Sequence, residues 1–140
     1  MKKIFLMTFV STLFGTGIFA QTSDMLAIEQ TIIAFVEAAD HNDATSLDQQ
    51  LDDHFRIIMN RLFGSKEVSI MPKSDYLQKI KSKEFGGDTR TITIHSIVVN
   101  GTIANVNLTL KGKEMTFTSL LTLLKNNEGK WLIISDAPMI

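Results

Sequence analysis

The chain has 140 residues, a formal charge of −1 and no cysteine. The missing thiols exclude disulfide staples, thiolate metal sites and thiol catalysis, so a domain of this composition rests on packing alone. The charge balance lacks the basic footprint of a nucleic-acid binder, and Lys79, Lys81 and Lys83 read as the solvated face of a short helix carrying Leu77 and Ile80.

Met1-Lys2-Lys3 precedes an apolar run from Ile4 to Phe19 that contains no acidic residue and ends at Ala20-Gln21. That pattern predicts a secretory signal peptide, residues 1–20, cleaved after Ala20. Ser11, Thr12, Gly15, Thr16 and Gly17 interrupt the run, which is shorter and more polar than the ~20 apolar residues that span a bilayer. No cysteine follows it, so a lipid anchor of the bacterial lipoprotein type is excluded. The expected mature chain, Gln21 to Ile140, is a single periplasmic or secreted domain without a membrane span.

A first helix is expected from about Asp24 to Ala39, where Met25, Ile28, Ile32, Phe35, Val36 and Ala39 recur at helical spacing and Ser23 or Asp24 can cap the free amides. His41-Asn42-Asp43 breaks the pattern and caps a second, shorter helix carrying Ala44, Leu47 and Leu51. Phe55, Ile57 and Met59 alternate with His54, Arg56 and Ile58 as a first strand towards Phe63-Gly64, and Val68 to Met71 forms a second. Pro72-Lys73-Ser74-Asp75 opens a third helix, Tyr76 to about Phe85, which Gly86-Gly87 ends.

Residues 89–136 then hold four β-type runs separated by Asn100-Gly101, Lys111-Gly112-Lys113-Glu114 and Asn126-Asn127-Glu128-Gly129. Asn-Gly predicts a hairpin because both residues tolerate the positive φ of a type I′ turn. Helices followed by an antiparallel meander indicate an α+β fold, with the helices covering one face of a bent sheet.

The residues that make the layout specific are Ile28-Glu29-Gln30-Thr31-Ile32-Ile33-Ala34-Phe35, Leu51-Asp52-Asp53-His54-Phe55, Lys73-Ser74-Asp75-Tyr76-Leu77 and Gly129-Lys130-Trp131-Leu132-Ile133-Ile134-Ser135-Asp136. In that order they resemble the nuclear transport factor 2-like superfamily, a cystatin-like cone of curved antiparallel sheet around one long helix. Within it the chain is most similar to the putative lumazine-binding group of small exported bacterial proteins. The resemblance implies a cone-shaped pocket, in a fold that hosts isomerases, dehydratases, cyclases, dimerisation modules and plain ligand binders.

Proton-shuffling members of that superfamily place a carboxylate, or a His paired with an Asp, on strands facing the cone. Here residues 55–64 hold no Asp or Glu, and residues 89–127 hold only Glu114, in a turn. A base must reach the proton it removes, so the sequence favours a non-catalytic binding or interaction protein. The alternative is a small lyase, isomerase or cyclase using His54, Tyr76 or His95. Tyr76 is the leading ligand contact, offering a flat apolar body and a hydroxyl. Phe55, Met59, Phe63 and Phe117 are expected to add apolar surface around a small planar molecule, with His54 and His95 as further candidates. No cofactor is implied, and no histidine spacing suggests a metal site. Apolar residues on both parities of the late strands, Leu120, Leu121, Leu123 and Leu124 with Leu132, Ile133 and Ile134, predict a homodimer formed sheet to sheet.

Overall fold

The computed structural model describes residues 16–140; residues 1–15, which carry most of the expected leader, lie outside the described residues. Helix α1 spans Thr16–Asp40, eight residues longer at its start than the periodicity predicts. Its core-facing stripe is the predicted one, with Ile28, Ile32, Phe35, Val36 and Ala39 buried. The difference lies at Ser23 and Asp24, which do not cap: nothing in residues 16–23 breaks a helix, and Gly17, Phe19 and Ala20 continue it in solvent. Asp24 instead faces the sheet, where its Oδ1 accepts hydrogen bonds from Lys125 Nζ at 2.8 Å and Trp131 Nε1 at 3.1 Å. No helix among the described residues is long and apolar enough to cross a membrane.

Asp43 does cap the second helix, α2 (Ala44–Asp48), accepting from the Ser46 amide at 3.0 Å and the Ser46 hydroxyl at 2.6 Å. Leu51, expected in that helix, begins strand β1 (Leu51–Asn60). There follow β2 (Val68–Pro72), helix α3 (Lys73–Lys81), β3 (Thr91–Asn100), β4 (Ile103–Lys111), β5 (Thr116–Lys125) and β6 (Trp131–Met139). They form one six-stranded sheet in the order β2-β1-β6-β5-β4-β3. All pairs are antiparallel except β1 with β6, which run parallel because the intervening chain returns across the sheet. The fold is α+β, with α1 and α3 on the concave face.

Burial alternates cleanly along β4, where Ala104, Val106, Leu108 and Leu110 point inward. With Trp131, Phe55, Ile28, Ile32, Leu47 and Ile80 they make the core, each large side chain worth roughly 1.5–3 kcal/mol on burial. The β3–β4 hairpin differs from expectation by one residue. Asn100 pairs with Ile103, so the central residues are Gly101 and Thr102, and only Gly101 has positive φ, +63°. Glycine at the first central position is the type II′ pattern, not I′.

Helix α3 also ends early. Lys83, at φ +62°, takes the left-handed position, and the Lys83 and Glu84 amides close back on the Ile80 and Lys79 carbonyls. The glycines expected to terminate the helix serve a close approach instead. Gly86 packs so tightly on α1 that a Cβ would lie 2.1 Å from the Ala39 carbonyl oxygen, and the Gly87 amide donates to that oxygen at 3.2 Å. Asn42 ties the same corner, its Nδ2 donating to the Ile80 and Phe85 carbonyls at 3.0 and 2.6 Å.

Candidate functional site

Between the concave sheet face and α3 lies a cavity of about 560 Å³, within the size range of small-molecule sites. Its walls are mostly apolar: Ile57 and Met59 from β1, Leu110 from β4, Phe117 from β5, Pro138 from β6, and Ile80 and Phe85 from the α3 corner. Leu62 and Phe63, in the turn after β1, line it as well. Arg61 and Phe63 hold left-handed backbone angles, φ +57° and +52°, and Phe63 meets the Phe117 ring edge-on at 6.4 Å while remaining largely exposed. A bulky residue in that conformation costs on the order of 1–3 kcal/mol, which the surrounding loop must sustain.

Of the seven residues that the sequence singles out, the cavity brings together four, Tyr76, Met59, Phe117 and, at the rim, Phe63. Tyr76 is buried, its ring packed on Phe55, Phe35 and Phe85 with centroids 5.7, 6.5 and 6.5 Å away. Its hydroxyl makes no hydrogen bond to another described residue. Burial, then the negative charge of Asp136, pushes that hydroxyl's pKa above its ordinary value of 10.0, so it stays a neutral donor. Phe55 lies in the core behind Tyr76 and does not line the cavity.

The two histidines fall outside the cone. His54 is in solvent, side chain 85% exposed, with its Nδ1 3.1 Å from Asp52 Oδ1. It has the opposite parity to the buried Phe55 and Ile57, so it points away from the core, as the alternation of the strand requires. His95 sits at a bulge, between Ile94 and Ser96, on the convex face, where its Nε2 contacts Thr109 Oγ1 at 2.7 Å. Among the described residues no group of three or more His, Asp or Glu could hold a metal.

The polar heart of the cavity is Asp136, beside Ser119. Strand β6 has one residue too many between the Leu123–Ile133 and Thr122–Ser135 pairs, so Ile134 bulges. With that bulge Ile133 and Asp136, three residues apart, both face inward. The Asp136 side chain is 8% exposed as a residue and its Oδ1 has no hydrogen-bond partner among the described residues. Burial lifts its pKa from 3.8 to about 6, against the pull of the Ser119 hydroxyl and the positive charge of Arg90.

Arg90 also lines the cavity, but its charge is committed. Its Nε lies 2.5 Å from Asp40 Oδ1, its backbone amide donates to Asp40 Oδ2 at 2.9 Å, and its Nη2 reaches the Val36 carbonyl at 3.4 Å. The arrangement is thus an apolar slot with one incompletely bonded carboxyl, one free phenol and one serine. It can orient a small ring system, and the carboxyl can exchange a proton near pH 6.

Comparison with known proteins agrees with this fold. The model of a family described as "Putative lumazine-binding" matches residues 23–137. No curated protein matches the chain. Among solved structures, a nuclear transport factor 2-like protein of unknown function from Silicibacter pomeroyi superposes with a TM-score of 0.74 at 18% identity, over 86% of this chain and 98% of that one. A ketosteroid isomerase-like protein from Erwinia carotovora atroseptica gives 0.63 at 17% identity, over 82% and 94%. A protein of unknown function with a cystatin-like fold from Nostoc punctiforme gives 0.65 at 17%, over 83% and 90%. At these identities the likeness is one of fold.

Proposed function

The chain belongs to the "Putative lumazine-binding" family of nuclear transport factor 2-like proteins, and from that membership we propose that it is an exported, non-catalytic binder of a small, planar, largely apolar molecule. The observation that carries the reading is the 560 Å³ apolar-walled cavity containing a buried carboxyl with an unsatisfied oxygen. An unpartnered buried polar atom costs about 1–3 kcal/mol, and a ligand donor would recover that. Affinity then comes chiefly from buried area, with Tyr76 and Asp136 setting orientation. Native mass spectrometry of protein purified from its own cells tests this: a retained mass of a few hundred daltons is expected, and a bare chain under conditions that preserve weak complexes would refute it.

Export rests on the Met1-Lys2-Lys3 start and the apolar run to Phe19, and cell fractionation checks it. Self-association through the convex sheet face rests on Val98, Ile103, Leu120 and Met139, each about half exposed there. Sedimentation giving a monomer at tens of micromolar would count against it.

A second reading, a lyase, isomerase or cyclase, is favoured by one observation: Asp136 has its pKa near 6 and lies close enough to Tyr76 to perturb it. Its histidine version has no support, since His54 and His95 stand outside the cone. Deuterium wash-in separates the two readings. A ligand incubated with the protein in heavy water keeps all its C–H bonds if the site only binds, and exchanges one if Asp136 shuttles protons.

A further inference from the structure

The charges around the cavity decide which small molecules it admits. Each of the interior ones is already paired or hydrogen-bonded, save for the Oδ1 of Asp136. From α1 and the start of β3, Asp40 and Arg90 neutralise one another. After α3, Glu84 Oε1 accepts from Lys79 Nζ at 2.6 Å. Asp88 accepts from the backbone amides of Thr89 at 2.6 Å and Lys113 at 3.2 Å. Lys113 and Glu114, of opposite sign, stand exposed on the rim turn between β4 and β5. Inside, the groups beside Asp136 are the Tyr76 phenol, which stays neutral, and the Ser119 hydroxyl.

Resting on the reading of the cone as a ligand site, we infer that it selects nitrogen heterocycles offering an N–H donor, neutral or cationic, to the free Asp136 oxygen, and rejects rings carrying a carboxylate or phosphate. A carboxylate oxygen accepts and cannot donate, and in an apolar slot it gains most from a charge-assisted N–H partner. An anionic ring would set two like charges together away from water, and the Arg90 charge that reaches Asp136 is already offset by its ion pair with Asp40. The Tyr76 hydroxyl, unengaged, supplies the complementary donor for a ring nitrogen or carbonyl on the same ligand.

Proton linkage follows. A donor ligand favours the ionised carboxyl, so it binds more tightly as pH rises through about 6 and levels off above. About a tenth of such a group is ionised at pH 5 and about nine-tenths at pH 7, which predicts roughly tenfold tighter binding at the higher pH. An anionic ligand shows the opposite slope.

Three probes built on a fused two-ring aromatic core test the inference by calorimetry on the full folded chain: 2,4-diaminoquinazoline, unsubstituted quinazoline and 2-naphthoate. The diamine is expected to bind at least tenfold tighter than the other two at pH 7 and to show the tenfold pH dependence. In Asp136→Asn the diamine loses that advantage and its pH slope, while 2-naphthoate binds better than to wild type. Circular dichroism confirms that the variant is folded, and the wild-type pH series carries the test without it. If the probes bind wild type equally, or 2-naphthoate binds best, the selectivity is wrong while the cone remains a ligand site. If none binds, the reading of the cone as a ligand site falls, and the inference with it.

Discussion

Replacing Asp136 by Asn should stabilise the protein at pH 8 and leave it nearly unchanged at pH 4. In the folded chain the carboxyl titrates at about 6 instead of 3.8, because burial disfavours its charged form. A carboxyl raised on folding holds its proton longer in the native state than in the unfolded chain. Its contribution is therefore intact below about pH 4 and is lost as pH rises through about 6. A shift of about two units at 1.36 kcal/mol each gives a penalty of roughly 3 kcal/mol above pH 7. Asparagine has nearly the same shape, carries no charge at any pH and escapes that penalty. Urea unfolding of both chains at pH 4 and pH 8 isolates the effect, since the other titrating groups cancel in the difference between them. The variant should be more stable by up to about 3 kcal/mol at pH 8, of order 10 °C in Tm for a domain of this size. An equal difference at the two pH values would refute the assignment of Asp136 as a buried, incompletely bonded carboxyl.

Asp24→Asn should destabilise by about 1–3 kcal/mol in chemical unfolding, because it removes the charge from the acceptor shared by Lys125 and Trp131. The Lys125 hydrogen bond first, then Trp131, holds the Asp24 carboxyl below its ordinary 3.8, so this stabilisation is present above about pH 4 and fades as acid protonates the group; a variant with unchanged acid unfolding would contradict it. Gly86→Ala should cost more than about 2 kcal/mol, since φ is +77° and the new methyl would meet the Ala39 carbonyl; a thermal melt matching wild type would show that the corner relaxes freely. Tyr76→Phe should keep stability within about 1 kcal/mol, because its hydroxyl bonds to no described residue, and should weaken ligand binding by ~0.5–1.5 kcal/mol; a loss above about 2 kcal/mol would mean a more specific polar site than this one.

Much of the fold was legible because it follows from periodicity. The α1 stripe, the β4 alternation and the late turns each repeat a local rule often enough to be read. The site was less legible because two β-bulges, at residues 95 and 134, each reset which face the following side chains meet. Alternation from Ile133 would turn Asp136 outward, and the stretches read as free of carboxylates, residues 55–64 and 89–127, stop short of the last strand. The carboxylate-free interior expected from sequence is therefore corrected: one carboxyl is there, placed by a one-residue insertion in the last strand. Leu132, Ile133 and Ile134 in succession were the available signal, since three apolar residues in a row cannot all alternate. The glycines after α3 were misread for a related reason: they were expected to end the helix, but the approach of Ala39 that requires them is a tertiary contact.

The most direct test is a crystal structure of the protein purified from its own cells with whatever it retains. The account predicts a planar molecule in the cone between Tyr76 and Phe117, with a nitrogen within about 3 Å of Asp136 Oδ1. Density for the retained molecule on the convex face near His95, or beside His54, with the cone vacant, would contradict it.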